Sequence, residues 1–335
     1  MSKPPVDAFS RPLRDVRISV TDRCNFRCTY CMPRAVFGPG HAFLPRASTM
    51  TADEVVRLGA ILLRLGVRKV RLTGGEPLLR GDLEEIVGGL AAIGVPDLAL
   101  TTNGSLLSRR ATGLRRAGLH RVTVSLDTLD PEVHLALSDS GVPLAAVLAG
   151  IDAAVAAGFA PVKLNAVIRR GVNEASILPL VEFARAAGHA LRFIEFMDVG
   201  ESNRWRRAEV VSAAEILATV AARHPLLPAH RDDPADVARR HRFADGAGEI
   251  GIIASVTEPF CGACTRLRVS ADGRLHTCLF SESGTDLLTV LRAEDDEAVV
   301  RLLTAVWEPR KDRYSEERAQ PHAPLRRVEM SYIGG

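Results

Sequence analysis

The six cysteines of this chain are grouped in two widely separated triads. The first triad, in "TDRCNFRCTYC", is Cys24, Cys28 and Cys31, and the second, in "FCGACTRLRVSADGRLHTC", is Cys261, Cys264 and Cys278. Cysteines separated by two residues are typical of metal or redox sites, and thiolates bind both zinc and iron–sulfur clusters. The spacing predicts two metal centres, with buried or disulfide-paired cysteines as the alternative.

Each triad is one ligand short of the four that structural zinc sites and most iron–sulfur clusters take. A zinc site would require a further Cys or His, and His41 is the first histidine of the chain. Three thiolates on a four-iron cluster would instead leave one iron with an open coordination position, which is the mark of a catalytic metal site. The cysteine spacing alone does not distinguish a zinc site from an iron–sulfur cluster.

Polar or glycine-rich motifs follow successive apolar runs of the chain. They are "TGGEP" at 73–77, "TTNG" at 101–104, "SLD" at 125–127 and Met197-Asp198, with Lys163 and Asn165 inside a fifth run. In parallel α/β folds, ligands collect at the carboxyl ends of the strands. Each motif alone is an ordinary turn or core feature, but their repetition predicts one shared site together with the first triad.

Alternating strand and helix patterns must position these motifs. Strands are predicted at 16–20, 70–75, 98–104, 121–127, 162–168 and 191–197, with capping-box-like helix starts at Thr51/Glu54 and Asp82/Glu85. Repeated βα units predict a parallel sheet, and six units are too few for a closed eightfold barrel of about 250 residues. The expected fold class is α/β, an open partial (βα)6 TIM-type barrel.

The pattern changes after residue 200, so we expect two domains, 1–200 and 201–335. The second is a C-terminal extension that carries the other cysteine triad. It is predicted to contain a helix at "SAAEILATVAA", an irregular surface segment at 223–247, a hairpin that turns at Asp272-Gly273, and helices at 286–292 and 295–307.

Composition excludes several classes of protein. The 335 residues are 47% hydrophobic and 25% charged, as in ordinary globular proteins. A net charge of +3 and 5% aromatic residues do not indicate a nucleic-acid-binding face. The N-terminus lacks the apolar core of a signal peptide, and no apolar run approaches the length of a bilayer span. We expect no membrane contact and a cytoplasmic location.

The first triad resembles the cluster motif of the radical S-adenosylmethionine (radical SAM) enzymes. The pattern is C-x3-C-x2-C with Tyr30 before the third cysteine, followed by "GGEP". The resemblance implies a [4Fe–4S] cluster on the first triad, whose open iron chelates SAM and whose electron cleaves it to a 5′-deoxyadenosyl radical. It also implies SAM contacts at Tyr30, Gly75, Ser125, Asn165 and Met197.

The second triad narrows the resemblance to one family. "CTRLR" between its cysteines, "RLTGGEPLLR", "KLNAVI", "RFIEFMDVG" and the terminal "YIGG" resemble the GTP 3′,8-cyclases of molybdenum cofactor biosynthesis. The resemblance implies a second [4Fe–4S] cluster whose open iron engages the guanine of GTP. The implied GTP contacts are Arg17, Arg71, Thr101, Lys163, Arg192, Arg266, Leu267 and Arg268. Catalytic roles are implied for Arg266, Arg268, Gly334 and Gly335.

The arginines are chemically suited to this substrate. The sequence contains no G-x-x-x-x-G-K-[ST] loop, so side chains must hold a triphosphate. Guanidinium groups bind phosphate oxygens through paired hydrogen bonds. Arg17, Arg71 and Arg192 lie inside predicted strands, where an unpaired charge would be costly.

The resemblance also implies a reaction and partners. The adenosyl radical abstracts the hydrogen of the ribose C3′, and the C3′ radical adds to guanine C8. An electron donor, a homodimer partner and a downstream cyclic pyranopterin monophosphate synthase are expected. The chain departs from the family at "LSDSGVP" (137–143), which lacks a basic residue and places one contact in doubt. The alternatives are a radical SAM enzyme acting on a peptide and a zinc-binding scaffold or nucleic-acid adaptor.

Overall fold

A computed structural model describes residues 4–230, 233–318 and 326–334 of the chain. Strands alternate with helices through the first two thirds of the sequence. The strands are β1 (Asp15–Ser19), β2 (Lys69–Thr73), β3 (Asp97–Thr102), β4 (Arg121–Ser125), β5 (Lys163–Ile168), β6 (Ala190–Glu195), β7 (Leu226–Pro228), β8 (Arg239–Phe243), β9 (Glu249–Ile253), β10 (Arg266–Val269), β11 (Arg274–His276) and β12 (Thr285–Asp286).

The strands form one sheet in the order β12-β11-β10-β1-β2-β3-β4-β5-β6-β9-β8-β7. Neighbours from β10 through β1–β6 to β9 are parallel, and the outer strands are antiparallel. β12 and β7 lie at opposite ends and do not pair with each other among the described residues, so the predicted α/β class with an open, mainly parallel sheet is confirmed. Two strands from the C-terminal region, β10 and β9, extend the parallel part beyond the six predicted units.

The helices are α1 (Ala52–Arg64), α2 (Leu83–Ala92), α3 (Leu107–Arg116), α4 (Pro131–Ser138), α5 (Leu144–Ala156), α6 (Ile177–Ala187), α7 (Ala213–Ala221), α8 (Leu288–Ala293), α9 (Asp296–Trp307), α10 (Tyr314–Glu317) and α11 (Met330–Ile333). The apolar faces of α1–α3 and α5–α9 pack with the strands into one core. Thr51 and Glu54 form the expected capping box on α1. Asp82 makes no capping bond on α2, because its carboxylate accepts hydrogen bonds from Arg80. In the described part of the chain, no helix is long and apolar enough to cross a membrane.

The C-terminal region contains one wrong prediction and several correct ones. The prediction that the segment 223–247 is irregular is wrong where β7 and β8 form, and β8 pairs with β9. The hairpin turning at Asp272-Gly273 is confirmed, with Gly273 at φ +68°, and α8 and α9 match the last two predicted helices. The division into domains at residue 200 stays a prediction, while the sheet runs through both parts.

Gly150 allows α5 to approach the turn after β3. A Cβ atom at this position would collide with the carbonyl oxygen of Gly104. We expect Gly150→Ala to lower the free energy of unfolding by about 1–3 kcal/mol, because the obstructing atom is backbone and the crowding outweighs the gain in helix propensity. Denaturant unfolding of the metal-free chain measures this change.

Gly88, in α2, is the matched control. A Cβ there would meet only the carbonyl oxygen of Ala117, at 3.9 Å. Gly88→Ala should therefore be neutral or stabilise by up to about 1 kcal/mol. Equal stability of the two variants would contradict the close contact at Gly150.

Candidate active site

Both cysteine triads open onto the same cavity of about 310 Å³. All six cysteines are free thiols and line its wall. The first triad lies in the loop after β1. In the second triad, Cys261 and Cys264 lie between β9 and β10, and Cys278 follows β11. The cavity lies at the carboxyl ends of the parallel strands, where the sequence predicted a shared site.

The first cysteine loop is held by the turn after β2. The amide of Gly75 donates to the carbonyl of Thr21 (2.8 Å), and that of Glu76 donates to the carbonyl of Arg23 (2.7 Å). A Cβ at Gly75 would collide with the carbonyl oxygen of Arg23. Glycine is therefore required here for packing against the cysteine loop, in addition to any approach of a ligand.

A second set of contacts fixes the loop from the other side. The guanidinium of Arg27 donates to the carbonyl oxygens of Cys24 (2.7 Å) and Phe37 (2.6 Å). The amides of Arg27 and Thr29 donate to the carbonyls of Ser138 (2.8 Å) and Leu137 (3.0 Å). The 137–143 stretch, which lacks a basic residue, thus supports the cysteine loop through its backbone.

Buried Glu76 connects the ends of β2 and β3. Its carboxylate accepts hydrogen bonds from the Thr102 hydroxyl and the main-chain amide of Asn103, both at 2.7 Å. Asn103 in turn directs its side-chain amide toward Cys24 Sγ, at 3.9 Å. Burial raises the pKa of Glu76 to about 7.

All five residues assigned to SAM line the cavity: Tyr30, Gly75, Ser125, Asn165 and Met197. The Tyr30 hydroxyl donates to Asp127 at 2.6 Å, and burial raises the pKa of Asp127 to about 6. The side-chain oxygen of Asn165 is buried and has no hydrogen-bond partner among the described residues. This oxygen is therefore free to accept a hydrogen bond from a ligand in the cavity.

Arginines that are buried or half-buried form a row across three strands. Arg268, Arg17 and Arg71 occupy aligned positions on β10, β1 and β2. Burial, followed by the charges of Arg266 and Arg71, lowers the pKa of Arg17 to about 9, and burial lowers that of Arg71 to about 10. Arg17 Nε has no hydrogen-bond partner within the described ranges. A bound polyanion would relieve this crowding of positive charge.

Six of the eight residues assigned to GTP line the cavity: Arg17, Arg71, Thr101, Arg192, Arg266 and Arg268. Lys163 lies two residues before Asn165 on β5, and so on the same face of the strand. Leu267 lies between the two arginines of β10 with its side chain in the hydrophobic core. Its predicted contact with GTP therefore concerns its main chain.

The second triad is surrounded by donors directed at sulfur. Arg266 Nη2 lies 3.4 Å and Arg310 Nη2 3.2 Å from Cys264 Sγ, and the Phe280 amide lies 3.5 Å from Cys278 Sγ. Burial opposes ionisation of Cys264, but Arg266 and Arg310 outweigh it and lower the pKa of this thiol to about 6. Burial raises the pKa of Cys24 and that of Cys278 to about 11. Bound iron would have to displace the protons of those two thiols.

This donor set fits iron–sulfur clusters. Amide and guanidinium groups directed at sulfur stabilise thiolate ligands. In the described ranges, no three Cys, His, Asp or Glu side chains are grouped closely enough to bind one shared metal ion. A four-iron cluster does not require that grouping, because each thiolate binds a different iron.

The C-terminal segment 326–334 lies over the cavity. Met330 and Ser331 line it, and Arg268 donates a hydrogen bond to the carbonyl of Gly334. The Glu329 carboxylate accepts hydrogen bonds from the amides of Glu201 and Ser202, both at 3.0 Å. Gly334 is thus placed beside a residue of the arginine row, and Gly335 lies outside the described residues.

Comparison with known proteins decides the family. Residues 18–184 match the radical SAM superfamily, and residues 189–316 match the family described as Molybdenum Cofactor Synthesis C. GTP 3′,8-cyclases from Acidothermus cellulolyticus and Xanthomonas axonopodis are 54% and 49% identical to this chain, and both alignments cover 100% of each sequence. The chain belongs to the GTP 3′,8-cyclase family.

Solved structures agree with the fold of this GTP 3′,8-cyclase family member. Streptococcus suis SuiB bound to S-adenosylmethionine aligns with a TM-score of 0.61 and 15% identity, covering 88% of this chain and 68% of SuiB. Methylornithine synthase PylB aligns with a TM-score of 0.51 and 17% identity, covering 92% and 86%. Identities this low support the shared fold alone.

Several residues that build the site were missed by sequence reasoning. Glu76, Asn103 and Asp127 lie in motifs that were noticed as strand ends, but their hydrogen bonds between strands leave no mark in the sequence. Arg310 gave no signal, because a single arginine after a helix resembles a solvated surface residue. In this GTP 3′,8-cyclase family member it is buried against the second triad.

Proposed function

We propose that this protein converts GTP to (8S)-3′,8-cyclo-7,8-dihydroguanosine 5′-triphosphate, the first step of molybdenum cofactor biosynthesis. Full-length similarity to GTP 3′,8-cyclases supports the activity. The observation that carries the proposal is the meeting of both cysteine triads and the arginine row on one cavity. A radical source, a nucleobase anchor and a triphosphate site are needed together for this reaction.

Cys24, Cys28 and Cys31 would hold the first [4Fe–4S] cluster, and Cys261, Cys264 and Cys278 the second. When bound, the first cluster and SAM supply a 5′-deoxyadenosyl radical. Tyr30, Ser125, Asn165, Met197 and the backbone at Gly75 would orient SAM. The free oxygen of Asn165 would accept a hydrogen bond from it.

Basic side chains on β1, β2, β5 and β6 would bind the triphosphate and fix the ribose. Arg17, Arg71 and Arg192, with Lys163, supply positive charge inside a largely enclosed site, where charge-assisted hydrogen bonds are strong. Arg266 and Arg268 lie beside the second triad, where they would stabilise charge developing on guanine after C8 is attacked. The segment 326–334 would help to exclude water from the reacting atoms.

The proposed reaction requires partners. One electron starts the radical chemistry and another reduces the cyclised nucleotide radical, so an external electron donor is part of the proposal. A downstream cyclic pyranopterin monophosphate synthase would consume the product. Homodimerisation stays a prediction from the family, and analytical ultracentrifugation tests it.

Anaerobic turnover with labelled substrate tests the function. The protein is reconstituted with iron and sulfide and incubated with SAM, dithionite and GTP deuterated at C3′. We expect the cyclised nucleotide and deuterium in the 5′-deoxyadenosine, because the radical takes that hydrogen. Deoxyadenosine that forms without deuterium or without a nucleotide product would disprove GTP as the substrate.

Lys163 should make GTP binding depend on pH. Burial, followed by the charges of Arg192 and Arg121, lowers its pKa to about 7. Phosphate favours the ammonium form, so binding takes up a proton wherever the free side chain is neutral. GTP affinity should be insensitive to Lys163 ionisation below pH 7 and should fall above it, by up to about tenfold per pH unit.

Calorimetry from pH 6.5 to 9 measures this dependence on the reconstituted protein. Lys163→Arg is the matched control, because arginine keeps its charge to a higher pH than lysine does. The ionisation of Arg17, whose pKa is about 9, affects both proteins equally. Ionisation of GTP itself affects both proteins equally. An identical slope in the two proteins would show that Lys163 does not contact the phosphates.

A further inference from the structure

Two buried arginines from distant parts of the chain meet behind the second cysteine triad. Arg11 precedes β1, and Arg310 follows α9. Their side chains are 2% and 1% exposed. Both bind the same carboxylate oxygen of Asp7, with Arg11 Nε at 2.6 Å and Arg310 Nη1 at 3.2 Å. A carboxylate shared by two guanidinium groups fixes both of them in the interior.

Arg310 bridges the two segments that carry Cys264 and Cys278. Its Nη1 donates to the carbonyl of Cys264 (2.8 Å), and its Nη2 reaches Cys264 Sγ (3.2 Å). Its Nε donates to the carbonyl of Thr277 (3.1 Å), the residue before Cys278. One planar group therefore sets the distance between two ligand-bearing segments.

Arg11 holds the remaining cysteine of the triad. Its Nη1 donates to the carbonyl oxygens of Cys261 (2.8 Å) and Asp312 (3.0 Å). Trp307, which is fully buried, packs against Arg310 with 4.6 Å between the guanidinium carbon and the ring centroid. The indole also donates to the carbonyl of Arg11 (3.1 Å). The two arginines thus form one packed unit.

We propose that Arg310 is a positioning residue for the second cluster. It places Cys264 and Cys278 at their ligating separation and donates a hydrogen bond to the Cys264 thiolate, while Arg11 and Asp7 hold it in place. The inference rests on the proposed second cluster. Hydrogen bonds to ligand sulfur make a cluster easier to reduce, and lysine cannot reproduce the fork of contacts that arginine makes.

The test isolates the second cluster from the first. The full chain carrying Cys24→Ala, Cys28→Ala and Cys31→Ala is reconstituted and should hold about four irons. Adding Arg310→Lys should make the midpoint potential, followed by electron paramagnetic resonance, more negative. It should also accelerate loss of iron to a chelator by about tenfold, the size of effect expected when a group that hydrogen-bonds to a metal ligand is replaced.

Two further variants make the outcome specific. Arg57→Lys changes an arginine that binds Asp296 and two backbone carbonyls between α1 and α8–α9, away from the cavity, and should change neither readout. Arg11→Lys should accelerate iron loss with a smaller change in potential, because Arg11 binds the Cys261 carbonyl. If Arg310→Lys folds poorly, Arg11→Lys still tests the unit through iron loss.

Three results would overturn the inference. The first is a potential and iron-loss rate in Arg310→Lys that equal those of the parent. The second is an equal effect of Arg57→Lys, which would indicate general loosening of the fold. The third is a parent chain that binds no iron, which would also overturn the proposed ligation by Cys261, Cys264 and Cys278. Loss of the radical chemistry alone, with this cluster intact, would leave the inference standing.

Discussion

Cys31→Ser and Cys264→Ser should both abolish the cyclised nucleotide but should differ in their effect on SAM cleavage. Cys31→Ser removes a ligand of the first triad, so formation of 5′-deoxyadenosine and of the cyclised nucleotide should both fall about a thousandfold or more. Cys264→Ser removes a ligand of the second triad, which we assign to guanine. Cleavage of SAM should then persist while the cyclised nucleotide is lost to a similar extent.

Iron analysis and product assays on the two reconstituted variants measure this difference. Each variant should fall from about eight irons per chain toward about four. The two variants control for each other, because both replace one partly buried thiol on the same cavity by a hydroxyl. Abolition of SAM cleavage by Cys264→Ser would mean that the second triad also serves the first cluster, and the division of roles would be wrong.

The positions of the site motifs were predictable because strand ends follow from simple patterns. Apolar runs of five or six residues ending in "TGGEP", "TTNG" or "SLD" predict parallel strands, and parallel strands bring their carboxyl ends to one edge. Arg17, Arg71 and Asn165, which lie within their strands, and Ser125, which ends β4, all line the cavity. Roles toward SAM and GTP came from the family resemblance and not from the patterns.

Pairing between distant strands was not predictable. β10 reads as half of a local hairpin, and nothing in "RLRV" marks β1 as its other neighbour. Backbone hydrogen bonds are the same for every residue type, so an available sheet edge leaves no sequence signal. This pairing matters for function, because it aligns Arg268 with Arg17 and brings the second triad to the cavity of the first.

Strand β8 is a second element that could not be predicted from the sequence pattern. Its sequence, "RRHRF", lacks the alternation of apolar and polar residues that predicts a strand. It forms because the edge of β9 accepts it, with Arg240 opposite Gly251 and His241 opposite Ile250. The packing role of Gly75 was also not predictable, because its close neighbour Arg23 belongs to a loop whose path does not follow from the sequence pattern.

Gly334→Ala should uncouple radical formation from nucleotide formation. Gly334 has φ +74°, a conformation that costs alanine about 1–2 kcal/mol, and its Cβ would collide with Cγ2 of Thr73. Together, strain and crowding of about 3 kcal/mol would displace the carbonyl that accepts the hydrogen bond from Arg268. We expect the yield of cyclised nucleotide per 5′-deoxyadenosine to fall by about tenfold to a hundredfold.

The neighbouring threonine provides a direct check of the geometry. Thr73→Ser removes the methyl group that the new Cβ would strike, so the double variant with Gly334→Ala should recover part of the lost coupling. Recovery should be incomplete, because the backbone strain remains.

Gly81→Ala, where a Cβ meets no atom within 4 Å, is the control for a new methyl group elsewhere. If Gly334→Ala keeps full coupling, the segment 326–334 does not act on the substrate through Gly334. If the double variant recovers nothing, the loss does not arise from contact with Thr73.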